Sequence, residues 1–280
     1  MSVLRELTKY VLRSKTGRVG LALFIFVCLA GILAPIVAPH ANDLHVPNRL
    51  QPPNMANLFG TDHFGRDVFG RVLHGAWLSL ITGLLVSSIS ATAGIFIGMT
   101  SAYFPLFGSF SMRFVDALMA FPTLILALIL MAIVGHASFA NVLIALSVAY
   151  TPRMARLVYG LTLRIREFDY VESARAVGVN HMRILTHHFI PNLVSPVVVQ
   201  ATLVCAFTIL GAAALDFLGV GVPPYIPSWG AMVGEGRQYI GIAPWLTLFP
   251  GIGIFTLVLG LNLLGDALRD ALDPRLKKLL

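Results

Sequence analysis

The sequence predicts an all-α integral membrane protein with six transmembrane helices, and three observations carry that prediction. Of 280 residues, 57% are hydrophobic and only 12% charged, about half the charged fraction of an ordinary water-facing domain. The mean hydropathy is +0.81. The apolar residues gather into long uncharged runs that match the ~20 residues a helix needs to cross the hydrocarbon core. A single soluble globule is excluded. Cys28 and Cys205 both lie inside apolar runs, which leaves no disulfide framework and no CxxC motif for zinc or redox chemistry.

Taken in order, residues 1–18 form a basic tail and residues 19–38 the first uncharged run. At 1.5 Å per residue this run reaches about 30 Å. It begins late and lacks a clean small-x-small cleavage site, so a retained anchor is favoured over a signal peptide. No charge occurs between Arg71 and Arg113, and a second helix fits at about 78–104. Gly94 and Gly98 give it a GxxxG spacing suited to close helix approach; the competing reading is that they merely thin the helix. The next uncharged stretch is too long for one span and breaks at Gly135-His136-Ala137-Ser138, giving helices at 114–134 and 139–160. Arg153 and Arg156 then fall in the last turns of the latter and must reach the interface by snorkelling. Runs at 191–215 and 243–265 complete the six.

An even number of spans puts both termini on one side. Sixteen of the 20 Lys and Arg then fall on the side of the termini and of residues 151–189, and four on the other. The positive-inside rule makes the crowded side cytoplasmic and the 39–75 segment periplasmic. The net charge of +7 is accounted for by topology, so nucleic acid is not an expected partner.

The stretch from Arg164 to Asn192 mixes charges of both signs with Ala, Val, Ile and Leu at helical spacing. It predicts a short amphipathic helix, a break at Gly178, and a second short helix ending at Pro191. An interfacial connector would need no more than this. Within it, Glu172-Ser173-Ala174, then Gly178, then Ile190-Pro191 resemble in spacing the EAA loop of bacterial ABC importer permeases, the element that docks into the ATPase. Ser173 stands where the second Ala is usual, and His188 where Ile is common.

Four further stretches carry the same resemblance. They are Gly60-Thr61-Asp62-His63-Phe64-Gly65-Arg66-Asp67; Arg113-Phe114-Val115-Asp116 with Ala120-Phe121-Pro122; Phe217-Leu218-Gly219 through Pro227-Ser228-Trp229-Gly230; and Asn262-Leu263-Leu264-Gly265-Asp266 through Asp273-Pro274-Arg275-Leu276. Together they are similar to the C-type permease of the dipeptide, oligopeptide and nickel uptake systems.

The resemblance implies a type I ABC importer permease: an added first helix, then a MetI-like five-helix core over 76–265 that includes the coupling loop 164–190, and a cytoplasmic tail at 266–280. It also implies a homologous second permease, ATP-binding subunits that hold ATP and Mg, a periplasmic solute-binding protein, surrounding membrane lipid, and di- or oligopeptides as solute. Nickel, glutathione or another small solute is the alternative. No GxxxxGK[ST] occurs in the chain, so the phosphate-cradling loop must belong to another subunit. No cofactor is expected in this chain. Glu172, Ser173, Ala174 and Gly178 are the implied ATPase-coupling residues. The residues alone offer a blander account, since an acidic group early in a short helix also favours the helix dipole by ~0.3–1 kcal/mol.

Asp216 interrupts an apolar run at the end of the fifth helix, and an ionisable group at that depth suggests a role in the substrate pathway. An interfacial carboxylate satisfied by water or a backbone donor is the other reading. The family usually has Ser here and a Glu upstream where Ala212 stands. Arg113 and Asp116 can pair across one turn. His40, His45, His63 and His74 lie in or beside the 39–75 segment without the spacing of a metal site, so no metal is expected. An intramembrane enzyme would need a nucleophile with its base, or paired acids, at membrane depth, and no GxSxG or HExxH occurs. A subunit that only anchors an ATPase is the remaining alternative.

Overall fold

The computed structural model describes residues 10–272. Residues 1–9 of the first tail and 273–280 of the last, with the Asp273 to Leu276 part of the final motif, lie outside the described residues. Helix α1, Lys15–Val37, starts where the Ser14 hydroxyl accepts from the Gly17 N–H at 2.9 Å. Helix α2, Val68–Tyr103, has 36 residues, about 54 Å of rise. It begins well before the expected position near 78 because Asp67 caps it, Oδ2 accepting from the Gly70 N–H at 2.9 Å. A helix that long overruns the ~30 Å hydrocarbon core, and its first turns stand in a polar assembly described below.

The expected single helix over 114–134 is two helices, α3 (Pro105–Met119) and α4 (Thr123–Val134), bent by 96°. The break falls on Ala120-Phe121-Pro122. Proline turns the preceding residue away from the helical region and has no N–H to continue the ladder. Helix α5, Phe139–Arg166, runs past the expected end at 160. Arg153 and Arg156 therefore sit near its middle rather than in its last turns. Arg156 reaches Asp116 on α3 at 3.4 Å, so Asp116 pairs across helices and not with Arg113.

Helix α6, Asp169–Ala176, is followed by α7, His181–Ile184, a π-turn over Leu185–Phe189, and α8, Ile190–Phe217. The expected stop at Pro191 does not occur. The Ile190 N–H bonds back to the Leu185 carbonyl, and this wider turn lets Pro191 enter the helix without the N–H it lacks. His181–Phe217 thus forms one helical run of 37 residues. Helix α9, Trp229–Gly236, is capped by Ser228 Oγ, and α10, Trp245–Leu272, closes the described chain.

Four of these runs are long and apolar enough to cross a membrane: Lys15–Val37, Val68–Tyr103, His181–Phe217 and Trp245–Leu272. The bent α3–α4 pair makes a fifth if it counts as one span. The remaining member of the six-helix arrangement is α5, with 28 residues and two arginines near its centre.

Packing follows the glycines at close approaches. A methyl group added to Gly94 would lie 2.5 Å from Met154 Cγ and 3.0 Å from the Ala155 nitrogen, and at Gly98 it would overlap the Ala155 carbonyl. The GxxxG spacing is thus the seam between α2 and α5, which settles the choice against two glycines that merely thin a helix. Gly20 of α1 meets Leu263 and Gly260 of α10, and Gly31 meets Trp77 of α2. The added first helix therefore lies against the last helix and the first core helix. One apolar cluster joins α2, α4, α5 and α8 to the α6–α7 region through Val171, Ile184, Leu185 and Phe189. A second joins α1, α2, α8, α9 and α10 around Trp229, Leu246 and Leu257.

Candidate functional site

At the α6 end of the molecule a short helix is anchored on one side and bare on the other. Val171 is fully buried and Ala174 and Val179 pack on the same cluster. On the opposite face Glu172, Ser173 and Gly178 are exposed, and Val177 is 84% exposed. Asp169 and Glu172 occupy the first turn and Arg175 the last, charges placed to favour the helix dipole. Gly178 takes φ +79°. Its N–H donates to the Arg175 carbonyl and the Val179 N–H to the Ala174 carbonyl, both at 3.0 Å. This is the paired bonding of a Schellman cap, with Val179 and Ala174 as its apolar contact. The four residues expected to couple to an ATPase are thus on one element, with Glu172, Ser173 and Gly178 open to solvent and Ala174 half-buried.

Residues not singled out in the sequence tie this element to the end of α2. Arg166 Nη1 donates to the Ala102 carbonyl at 3.1 Å. The Arg175 guanidinium lies 4.9 Å above the Tyr103 ring, and the Tyr103 hydroxyl meets His181 Nδ1. Tyr103 also packs edge-on against Phe189 of the π-turn. α7 runs through the π-turn without a break into α8, so these contacts join the α6–α7 region to α8 and α2.

At the opposite end Asp216 is 9% exposed, and its Oδ1 accepts from the Val222 N–H at 2.9 Å. Gly219 at φ +79° turns the chain between them, and a side chain at Gly221 would overlap the carboxylate. Asp216 thereby fixes the turn leading from α8 into the loop before α9.

The Gly60 to Asp67 motif folds into a compact turn there, held by the bridge between Thr61 and Asp67. Asp62 Oδ1 accepts from the Phe64 and Arg66 N–H groups. Its Oδ2 pairs with Arg66 Nε, and Arg66 Nη2 reaches Glu235 Oε2 on α9 at 3.0 Å. Arg71 is 1% exposed and donates to Asn42 Oδ1 at 3.1 Å. The 39–67 segment is thereby tied to α9 and α2. The motif was visible in the sequence; Glu235 carried no local signal because its partner lies 169 positions away.

The histidines do not converge. His40 pairs with Asp43, His74 Nδ1 contacts the Gly70 carbonyl, and His63 stacks on Tyr239. Asp62, His63 and Glu235 form the one grouping among the described residues close enough to share a metal. Arg66 already supplies positive charge to both carboxylates, so the arrangement suits an ion-pair network rather than a cation site.

The family model for a binding-protein-dependent transport system inner membrane component matches residues 90–278. The chain belongs to this family. A second model, the N-terminal TM domain of oligopeptide transport permease C, matches residues 2–53. The permease is 48% identical over 269 residues to a protein of Brucella suis biovar 1 named as a peptide transport system permease, covering 95% of this chain and 90% of that one. It is 40% identical to the dipeptide transport system permease of Alkalihalophilus pseudofirmus, covering 98% and 90%. It is 42% identical to an Escherichia coli glutathione transport system permease, covering 91% and 86%. Among solved structures, the inward-facing MetNI methionine ABC transporter matches with a TM-score of 0.59 at 20% identity, over 72% of this chain and 97% of that one. The MetI-like fold expected for the core is therefore the fold found.

Proposed function

We propose that this permease forms half of the transmembrane pathway of an ATP-driven importer for di- or oligopeptides. A homologous permease supplies the other half, and a periplasmic binding protein delivers the solute. ATP and Mg are held by separate ATPase subunits. In this reading both termini, residues 1–18 and 266–280, and the 164–190 loop are cytoplasmic, and 39–75 is periplasmic. The peptide relatives favour peptides as solute, and the 42% identical glutathione permease makes glutathione, itself a peptide-like acid, the second reading.

The observation that carries the proposal is the bare face of α6, whose other face packs on the cluster that includes α8. A rigid helix docked in an ATPase cleft can turn closure of the ATPase into helix movement, and the Tyr103–His181–Arg175 contacts pass that movement to α2. Glu172, Ser173, Ala174 and Gly178 are the docking residues in this reading. Asp216 supports the pathway only structurally, its carboxylate holding the turn at the far end of α8 through the Val222 N–H.

The test uses the assembled transporter in proteoliposomes. Glu172→Lys reverses a charge on the docking face, and Gly178→Pro imposes a φ near −65° where +79° is needed. Both are expected to reach the membrane and assemble, and to lose at least roughly tenfold in ATP-driven uptake, the effect of about 1.4 kcal/mol lost from the docked state. Normal uptake in both variants would refute the docking role.

A further inference from the structure

A cavity of about 590 Å³ opens where α1 ends and α2 begins. Val37, the last residue of α1, and Phe69, in the first turn of α2, line it together with the loop residues Asp43, Asn48, Asn57 and Leu58. The loop lies close on the start of α2, since a methyl group added to Gly70 would come within 2.8 Å of both Ala38 and Ala41. Asp67 lines the same cavity. Its Oδ2 caps α2, while Oδ1 is buried and has no hydrogen-bond partner. Asp43 is exposed and holds His40 at 3.1 Å. Among the described residues, no lysine or arginine lines the cavity.

The depth of this cavity follows from α1, one of the helices long and apolar enough to cross a membrane. Its 23 residues rise about 35 Å, enough for the hydrocarbon core of ~30 Å. No Lys, Arg, Asp or Glu occurs between Arg18 and Asp43, so Val37 stands where the core gives way to the headgroups. Phe26, Leu29 and Leu33 share the helical face of Val37 at spacings of three and four residues, and all four are exposed. An acyl chain lying on this face brings its headgroup to the mouth of the cavity. Carboxylates with no lysine or arginine beside them repel an anionic headgroup and suit an ammonium. A carboxylate oxygen without a donor favours a primary ammonium, because a quaternary one has no N–H to give. Asn48 and Asn57 add amides able to donate to a phosphate. We propose that this cavity binds a phospholipid with a primary ammonium headgroup, the chemistry of phosphatidylethanolamine, with its chain on the Phe26–Val37 face of α1. The proposal rests on α1 crossing the membrane and is independent of the solute.

The experiment uses the full-length permease, with whatever subunits copurify, in mild detergent. It is titrated with phosphatidylethanolamine, phosphatidylcholine or phosphatidylglycerol of matched acyl chains, and bound lipid is counted by native mass spectrometry. Phosphatidylethanolamine is expected to bind about tenfold more tightly than the other two, and Asp43→Asn to remove that margin, as for one lost hydrogen bond between charged groups. Asp43 is an exposed loop residue, so this variant reads binding and not folding. Leu58→Trp places a larger side chain at the cavity wall and should weaken phosphatidylethanolamine binding in the same way. A phosphatidylethanolamine carrying a diazirine at the head of its acyl chain should crosslink to peptides that contain Leu33 to Leu58. Equal binding of the three lipids, a preference for phosphatidylglycerol, an unchanged margin in Asp43→Asn, or crosslinks confined to other helices would each overturn the proposal. A margin that appears only after a copurifying subunit is stripped away would show that the cavity belongs to a protein partner, and would overturn it too.

Discussion

Single residues at the Phe217 end of α8 hold turns that the helices cannot make alone. The Asp216 carboxylate matters through Oδ1, which takes the Val222 N–H. Asp216→Asn keeps an oxygen there and is expected to melt within about 1 kcal/mol of the parent, whereas Asp216→Ala leaves a buried donor unmade and loses about 1–3 kcal/mol. Thermal unfolding in detergent separates the two, and equal melting of both variants would remove the turn-fixing role. The same logic ranks the ion pairs around Arg66. Asp62 is 5% exposed and serves two backbone donors as well as Arg66. Asp62→Ala leaves two backbone donors unmade and the buried Arg66 guanidinium with Glu235 alone, and is expected to destabilise by about 3–5 kcal/mol. Glu235, with a side chain 29% exposed, has water to replace what it loses; Glu235→Gln should change stability by less than about 1 kcal/mol. Comparable losses in the two variants would show that the network is not centred on Asp62.

At the scale of elements, the α2–α5 seam depends on the absence of side chains. Gly94→Leu would drive a side chain into Met154 and the Ala155 backbone, and overpacking of this kind costs about 1–3 kcal/mol or more. Gly160 lies in the same α5 with nothing within 4 Å of an added methyl group, so Gly160→Ala should stabilise by about 0.5–1 kcal/mol. Opposite shifts in melting temperature are the expected result; destabilisation by both would mean that glycine content, and not the seam, governs α5. The glycine spacing in α2 was legible in the sequence because helical periodicity is local. The bend at Pro122 was missed although Ala120-Phe121-Pro122 was noted, because an uncharged run measures length and not direction. Pro191 misled in the other direction. It reads as a stop, yet the π-turn before it carries the helix on into Pro191, and that turn is held by Leu185 and Phe189 buried in a cluster with distant residues. The four residues proposed for coupling are singled out by their spacing, whereas the contacts of Tyr103, Arg166 and His181 that tie their element to α2 join separate helices and leave no pattern along the chain.

For the whole molecule the decisive quantity is orientation, because every role assigned to α6 and to the 39–67 segment depends on which face each one meets. In the proposed topology the charge asymmetry of sixteen to four puts α6 on the cytoplasmic side. Two exposed positions report on the two faces: Val177 at 84% exposure beside the coupling helix and Met55 at 99% in the first loop. Cys28 is half-buried and Cys205 buried, both within helices, so the native thiols react little with a charged reagent. In intact spheroplasts, Met55→Cys is expected to label with a membrane-impermeant maleimide, and Val177→Cys only after the membrane is opened. The reverse pattern would put α6 outside the cell, where no ATP-binding subunit could reach it, and would overturn the coupling role together with the topology. Labelling of Val177→Cys that is then blocked when ATPase subunits are co-expressed would join the two claims, since protection requires both the correct side and an occupied docking face.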